Sequence, residues 1–494
     1  RPLLRSFSRW VSQHTSQEPG KCKIDLQEYK MKKQKILKFS LLGILSFYIV
    51  YVVISCLIYP MNQKKPTGIG IDSYKESLNY QTLNERVLSI NSNQEALLYR
   101  INMISEAKEE IVLSTFDFRI DNSGKDVLSA LYDASLRGVK IKIIVDGINA
   151  AMYLKNDKLF KKFASSKNIE IKFYNPVNLA IAYKNNFRLH DKYLIIDNTM
   201  YLMGGRNTND LFLGNYQTKT NIDKEVLVFN QNNDDFKSLN SLKAYFEEIW
   251  NHKDSKIYKK RNSKNNDELI QHYEQLKTKL PEAFEKIDYY NLTVETNHIS
   301  LINNPINTSN KTPEMWDTLN YIMSNAENIL IQTPYIIMNK SMYSDVEDLT
   351  KSGKKINILT NSITSGANPL GCVDYLNSEK HILTTGVGIY ELQYAKSLHT
   401  KTILIDNNIS IIGSYNLDIR STYLDTELML VIDSPKLNES LKEDVKTYLE
   451  SSLYVKQGEQ NIKGSNYEEN KLSGFKTFVF FFINLFIKYI RHLI

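Results

Sequence analysis

One constellation of residues occurs twice in the chain with identical internal spacing. The first copy is His190-Asp191-Lys192, then Asp197, then Gly204-Gly205-Arg206-Asn207. The second is His399-Thr400-Lys401, then Asp406, then Gly413-Ser414-Tyr415-Asn416. In both, Lys follows His by two positions, Asp by seven, the first Gly by fourteen and Asn by seventeen. Five positions repeated at one spacing imply two lobes of like fold. Residues two apart on a strand share a face, so each copy sets an imidazole beside an ammonium while alternate residues pack inward. The apolar run that follows ends in small residues, where a backbone can approach a phosphate closely.

The flanking pattern repeats too, over a length far beyond a solenoid period. In the first copy a helical stretch at 94–108 leads to Ile111-Val112-Leu113-Ser114. A second helix at 125–137 closes at Gly138, before β-like runs at 141–145 and 169–173. In the second copy, 314–326 precedes 329–332, and 344–351 closes at Gly353 before 356–359 and 388–390. Strands alternating with helices predict an α/β fold class, with largely parallel lobes related by a pseudo-twofold. The spacing sets lobe 1 at 91–250 and lobe 2 at 313–455. Residues 60–90 read as a linker and 251–312 as an inter-lobe linker region, whose first part (251–266) is rich in Lys, Asn and Ser and predicts a solvated connection.

The two ends are apolar in different ways. Residues 39–59 form an unbroken apolar run closed by Pro60, long enough for one bilayer crossing. Lys32, Lys33, Lys35 and Lys38 precede it and Lys64 and Lys65 follow, a bias that favours the N-terminus inside and the catalytic region outside. A cleaved signal peptide is the rival, and Val53-Ile54-Ser55-Cys56 is similar to a lipoprotein cleavage box. Leu57-Ile58-Tyr59 keep the run apolar past the cysteine, which favours an uncleaved transmembrane helix. Residues 1–38 read as an extension with a basic flank; Met31-Lys32-Lys33 is similar to a natural start, and 1–30 are given no function. At the other end, 456–494 read as a polar linker and an aromatic tail. The tail holds Phe478, Phe480, Phe481, Phe482 and Phe486 between Lys476, Lys488 and Arg491. Its apolar centre is too short to span, so it predicts a membrane-interface helix, against the alternative of a terminal helix docked on the core.

Composition narrows the chemistry. Lys and Arg number 62 against 55 Asp and Glu, a formal +7 that suits an anionic partner. Cys22, Cys56 and Cys372 are too few for a disulfide framework or a zinc cluster. No Lys/Arg-dense, aromatic-lined strip flanks the motifs, which argues against nucleic acid. Two histidines, two lysines and two asparagines around one pocket suit phosphoryl chemistry with no metal and no cofactor. One neutral His attacks phosphorus, Lys192 and Lys401 offset the anionic oxygens, and the other His protonates the departing oxygen. Asn207, Asn416, Gly205 and Ser414 are the candidate phosphate-binding positions, and Asp197 and Asp406 the loop organisers. Each imidazole also has a candidate orienting carboxylate: Glu427, 28 residues after His399, and Glu225 at the matching place in the first copy, displaced by an insertion at 214–220. His252, His272, His298 and His381 sit in no such pattern.

At these residues the sequence resembles the phospholipase D superfamily, whose signature is His-x-Lys-x4-Asp followed by Gly-Gly or Gly-Ser and Asn. It is closest to bacterial cardiolipin synthases and related phosphatidyltransferases, through Gly204-Gly205-Arg206-Asn207, Thr360-Asn361-Ser362, Tyr390-Glu391 and Asn416-Leu417-Asp418-Ile419-Arg420-Ser421. Asp425 stands where relatives often carry Asn. The resemblance implies two α/β/α sandwich lobes with one active site at their interface. It further implies a phosphohistidine intermediate, with His190 as nucleophile and His399 as general acid, and exchange of alcohols on a phospholipid phosphodiester. Cardiolipin synthesis from phosphatidylglycerol is the leading expectation; a hydrolytic phospholipase D, a phosphodiester nuclease and a non-catalytic scaffold are the alternatives. The implied partners are a phospholipid substrate and the membrane, with no nucleic acid; a protein partner is left open.

Overall fold

The computed structural model describes residues 19–80, 84–230, 236–258 and 267–494, with side chains from residue 28 onward. The extension before residue 19 and positions 259–266 of the expected linker lie outside the described residues. The chain forms two units, 1–58 and 59–494.

In the first unit, one 40-residue helix runs from Pro19 to Ile58. It starts well before the apolar run because the intervening Lys, Gln, Leu and Glu residues are good helix formers. It stops where Tyr59 precedes Pro60, since the residue before proline is driven out of α geometry. Its apolar residues, Phe39, Leu42, Ile44 and Phe47 among them, are exposed. The helix is long and apolar enough to cross a membrane.

The second unit contains two nine-stranded sheets. The first draws on β1 (Glu85–Ile90), β2 (Glu110–Thr115), β3 (Lys140–Asp146), β4 (Ile169–Tyr174), β5 (Tyr193–Ile196), β6 (Met200–Gly204), β8 (Glu225–Asn230), β9 (Ser255–Ile257) and β10 (Val294–Glu295). The second draws on β11 (His298–Asn303), β12 (Asn328–Gln332), β13 (Lys355–Asn361), β14 (Gly388–Leu392), β16 (Thr402–Ile405), β17 (Ile409–Gly413), β18 (Leu428–Asp433), β19 (Ser452–Lys456) and β20 (Ile462–Lys463). A separate two-stranded ribbon joins β7 (Asn221–Ile222) to β15 (Ser397–Leu398). The sheets run β10-β1-β8-β6-β5-β2-β3-β4-β9 and β11-β18-β17-β16-β12-β13-β14-β19-β20. From β1 to β4 and from β11 to β14 the order is the same, so the sequence repeat is a repeat of fold.

The expectation of largely parallel lobes is corrected. Within the two sheets only β2-β3-β4 and β12-β13-β14 are parallel, and the other sheet pairs are antiparallel. The reason is local: a connection as short as the one between β5 and β6 can only make a hairpin, since a parallel return needs a crossover of a dozen or more residues. Asp197 and Asp406 make these turns with φ of 51° and 46°. Their carboxylates accept from backbone N–H groups, Asp197 from Glu109 and Glu110 at 2.9 Å and Asp406 from Asn328 at 2.8 Å. Each loop is thereby tied to the start of the neighbouring parallel strand.

Period-two alternation feeds two cores at once. On β5, Leu194 and Ile196 join an outer core beneath the helices of lobe 1, whereas Tyr193 and Ile195 face a central core. On β16, Ile403 and Ile405 face the outer core of lobe 2, and Leu404 joins the same central core. The central core takes residues from both sheets together with the helices Lys237–Asn251 and Pro435–Glu450. The lobes are fused through a shared interior.

The domain boundaries move accordingly. The 60–90 linker holds a helix, Ile69–Ser77, docked on Glu314–Ser324, and then β1. The Glu314 carboxylate accepts from the Thr67 and Gly70 N–H groups at 3.0 and 3.1 Å. In the 251–312 region, β9 and β10 extend the first sheet, the helix Asp267–Lys279 packs on Asn122–Leu136, and β11 already belongs to the second sheet. Polar composition concealed these elements because edge strands and one-sided helices carry few apolar residues.

The aromatic tail docks and exposes at the same time. The helix Gly474–Asn484 and the turn after it lie on Pro369–Thr384, burying Phe480 and Ile487 against Cys372 and Val373. Arg491 pairs with Asp374 at 2.6 Å and Lys476 donates to the Thr364 carbonyl at 2.7 Å. The other face leaves Phe475 77% and Phe481 63% exposed.

Candidate active site

The two histidine motifs lie at the ends of β5 and β16 nearest the lobe boundary, and each is stitched to the opposite lobe. Leu189 bridges Thr426 in parallel, and Leu398 pairs with Ile222 in the β7–β15 ribbon. The Thr426 N–H donates to the Arg188 carbonyl at 2.9 Å, and the His399 N–H to the Ile222 carbonyl at 2.7 Å. The residue after each bridging partner is a carboxylate that reaches the imidazole. His190 Nδ1 is 2.9 Å from Glu427 Oε1, and His399 Nδ1 is 2.6 Å from Asp223 Oδ2. The orienting groups are crossed between lobes.

This corrects the sequence assignment at Glu225. That side chain is buried against Arg100, which donates to both its carboxylate oxygens at 2.5 Å, and against Arg206 at 3.7 Å. Strand register explains the shift: Gly204 faces Glu225, whereas Gly413 faces Met429. The residue equivalent to Glu427 therefore lies two positions before Glu225, at Asp223. Glu427 sits on the other lobe's imidazole, not on the histidine of its own motif.

The small residues after β6 and β17 serve these carboxylates. A Cβ on Gly205 would stand 2.4 Å from an Asp223 carboxylate oxygen, so only glycine leaves Asp223 its place. At the equivalent position the Ser414 hydroxyl donates to Glu427. Asn207 accepts from the Asp117 N–H at 3.4 Å, and Asn416 donates toward the Tyr335 hydroxyl at 3.3 Å while its buried Oδ1 has no protein partner.

Lys192 donates to the His190 carbonyl, and Lys401 to the His399 carbonyl, 3.2 Å from His399 Nε2. Aromatic edges close on both rings, Phe116 at 5.2 Å from His190 and Phe212 at 4.8 Å from His399. Two further residues hold the approach to each histidine. Asp146, at the end of β3, accepts from the Leu189 N–H at 3.2 Å and from Arg188 Nε at 2.7 Å. Asn361, at the matching end of β13, accepts from the Leu398 N–H at 2.7 Å. Phe116, Phe212 and Asp146 escaped the sequence reading, although Asp146 was marked by its place at the end of a parallel strand. Asp425, the departure from the family pattern, pairs with Arg420 at 3.0 Å and accepts from the Arg188 N–H at 3.3 Å. A cavity of about 60 Å³ opens beside His399, lined by Asn221, Tyr335, Asn361, Cys372 and Ser397.

Burial sets the charge states. Desolvation, reinforced by the adjacent lysine, pushes His399 down to about 3 and His190 well below its ordinary value. Burial and the lysines therefore favour the neutral form of both imidazoles before substrate binds, and a carboxylate on Nδ1 fixes the tautomer of each. Burial lowers Lys192 to about 7 and Lys401 to about 8, and raises Glu427 to about 7. Burial also works to raise Asp223, but Lys401 and His399 outweigh it and hold Asp223 below the usual carboxylate range. Among the described residues no group of three or more His, Cys, Asp or Glu is placed to hold a metal ion.

A family model described as cardiolipin synthase, PLD-like domain, matches residues 100–250 and 318–449, one match in each lobe. The chain belongs to this family. Cardiolipin synthase C of Escherichia coli (strain K12) is 25% identical over 386 residues, covering 69% of this chain and 80% of that protein. Cardiolipin synthase of Clostridium perfringens (strain SM101 / Type A) is 28% identical over 362 residues, covering 72% and 67%. Among solved structures, phosphatidylserine synthase of Haemophilus influenzae Rd KW20 shares the fold with a TM-score of 0.60 at 16% identity, over 86% of this chain and 100% of that one. The chain is thus a phospholipase D-superfamily enzyme of the phospholipid-synthesising type, and its apolar helix fits a membrane location.

Proposed function

We propose that the chain is a membrane-anchored phosphatidyltransferase that forms cardiolipin from two molecules of phosphatidylglycerol. The observation that carries this reading is the crossed pair of imidazoles, each held at Nδ1 by the other lobe's carboxylate. His190 Nε2 attacks phosphorus, and the bond to the departing glycerol oxygen breaks as His399 gives that oxygen its proton; His399 enters this step as the imidazolium, its charge held by Asp223 on Nδ1 and by the anionic phosphodiester that offsets Lys401. The phosphatidyl group is then carried on His190. His399, now neutral, takes the proton from a hydroxyl of a second phosphatidylglycerol, which attacks phosphorus and releases His190. Lys192 and Lys401 supply charge to the phosphoryl oxygens.

Water attacks a phosphohistidine as readily as an alcohol does, so selectivity has to come from position and water exclusion. Bulk water stands at roughly 55 M, and an acceptor competes only when held at high effective concentration. Lipid headgroups meet that demand when the site opens at a bilayer. With the lysine bias of the N-terminal helix, the catalytic unit lies on the outer side. Labelled phosphatidylglycerol in bilayers should yield cardiolipin and free glycerol, with phosphatidic acid minor. Phosphatidic acid as sole product, with acceptor lipid present, would establish the hydrolase instead.

The tail supports the same reading through its exposed aromatic face. Ending the chain before Gly474 should reduce turnover on bilayers about tenfold more than on a short-chain soluble substrate. Equal losses on both would make the tail a structural element of lobe 2 alone.

A further inference from the structure

Lobe 1 carries an apolar surface separate from the tail, and the chemistry makes no use of it. After β3 the chain turns through Gly147–Asn149 and Ala150–Leu154; after β4 it runs through Pro176-Val177-Asn178-Leu179-Ala180-Ile181. These segments abut so closely that a Cβ on Gly147 would stand 2.6 Å from the Pro176 nitrogen. Met152 is 63% exposed, Val177 50% and Leu179 69%. Single exposed apolar residues need no explanation, but a contiguous group on adjoining loops marks a contact surface.

Charge and position identify what covers it. The cleft beside these loops, about 690 Å³, is lined by Lys155, Lys161 and Lys256 and by no carboxylate. Arg119, paired with Asp117 at 2.7 Å, lies over the Tyr153 ring at 4.8 Å. Apolar tips ringed by cations match an anionic lipid surface, with the tips in the acyl boundary and the lysines at headgroups. The loops follow the carboxyl ends of β3 and β4, the end from which Asp146 holds the residue before His190. The turn Ala182–Asn186, which continues the second loop, stacks Tyr183 on Tyr59 with ring centroids 4.0 Å apart. Tyr59 is bonded to Ile58, the last residue of the membrane-length helix, so a bilayer crossed by that helix has its surface within a few residues of Tyr59. Leu493 and Ile494, at the end of the tail, pack into the same cluster as Tyr59 and Tyr183.

We propose that the loops at 150–154 and 176–182 are a second bilayer contact, which seats lobe 1 on anionic phospholipid as the tail seats lobe 2. This rests on the membrane anchor proposed above and not on which reaction the site performs.

The test uses the full chain reconstituted in vesicles of phosphatidylglycerol and phosphatidylcholine. Met152→Trp and Val177→Trp each add an indole at the proposed contact, and Leu136→Trp adds one at the opposite end of β3, on an exposed helix terminus. The signal is the quenching of the added emission by phospholipids brominated in their acyl chains, with the parent chain subtracted. Quenching at 152 and 177 should exceed that at 136 at least threefold. Equal quenching at all three positions overturns the proposal. So does an indole shielded from aqueous iodide but untouched by brominated lipid, which would assign the surface to a second copy or another protein. Flotation with washed vesicles separates the two readings: a chain that floats without quenching loses this contact alone, and one that does not float loses the anchor and the contact together.

Discussion

His190→Ala and His399→Ala should each lower turnover by about 10⁴-fold or more while leaving the fold intact. A loss of that size is roughly 5 kcal/mol of transition-state stabilisation, the scale of a removed nucleophile or a removed proton donor. Neither side chain takes part in the outer cores, so alanine leaves those cores intact while removing the imidazole from Glu427 or Asp223. Rapid quenching with labelled substrate should trap the phosphatidyl group on His190, and His399→Ala should prolong the life of the trapped species, because the acceptor hydroxyl loses the base that takes its proton. Label found only on His399 would reverse the two roles. Near-normal turnover in both variants would remove the site from the lobe boundary altogether.

Asp223→Asn should cost on the order of 10³–10⁴ in turnover with little change in melting temperature, by analogy with loss of the carboxylate that orients a catalytic imidazole. The amide keeps the shape but offers Nδ1 no charge, so the tautomer is no longer fixed and an imidazolium at His399 loses its partner. Glu225→Gln should do the reverse. It leaves Arg100 and Arg206 buried without their counter-charge, a change that costs about 3–5 kcal/mol of stability. The folded fraction of that variant should retain most of its turnover. The pair of variants separates the two carboxylates that sequence spacing could not. Loss of activity at Glu225→Gln without a shift in melting temperature, together with a benign Asp223→Asn, would restore the sequence assignment.

The contrast between these carboxylates shows where local information stops. His190, Lys192, His399 and Lys401 are legible because strand periodicity fixes which residues share a face, whatever lies elsewhere in the chain. Asp197 and Asp406 are legible for the same reason: a short turn between two apolar runs leaves few residues able to take a positive φ and cap the neighbouring strand. The family signature adds the two-lobed α/β class, and the apolar length of 39–59 sets a helix long enough to cross a membrane.

What the sequence alone determined is therefore everything that repeats or alternates within a few residues: the motif side chains, the strand and helix order, the apolar ends. Only the tertiary structure decided pairings made across long separations. The loop between β6 and β8 is longer than its counterpart in lobe 2, and an insertion of unknown placement hides strand register, so spacing pointed to Glu225; the pairing of Gly204 with Glu225 gives the place to Asp223 instead. The crossing of Glu427 to His190 follows from Leu189 bridging Thr426, a contact between lobes that no local pattern encodes. The edge strands β9, β10 and β11 were read as linker because an edge is half-solvated and carries too few apolar residues to declare itself. Backbone hydrogen bonding between distant segments is insensitive to side-chain identity, and that is why register and lobe crossing had to be seen in the fold.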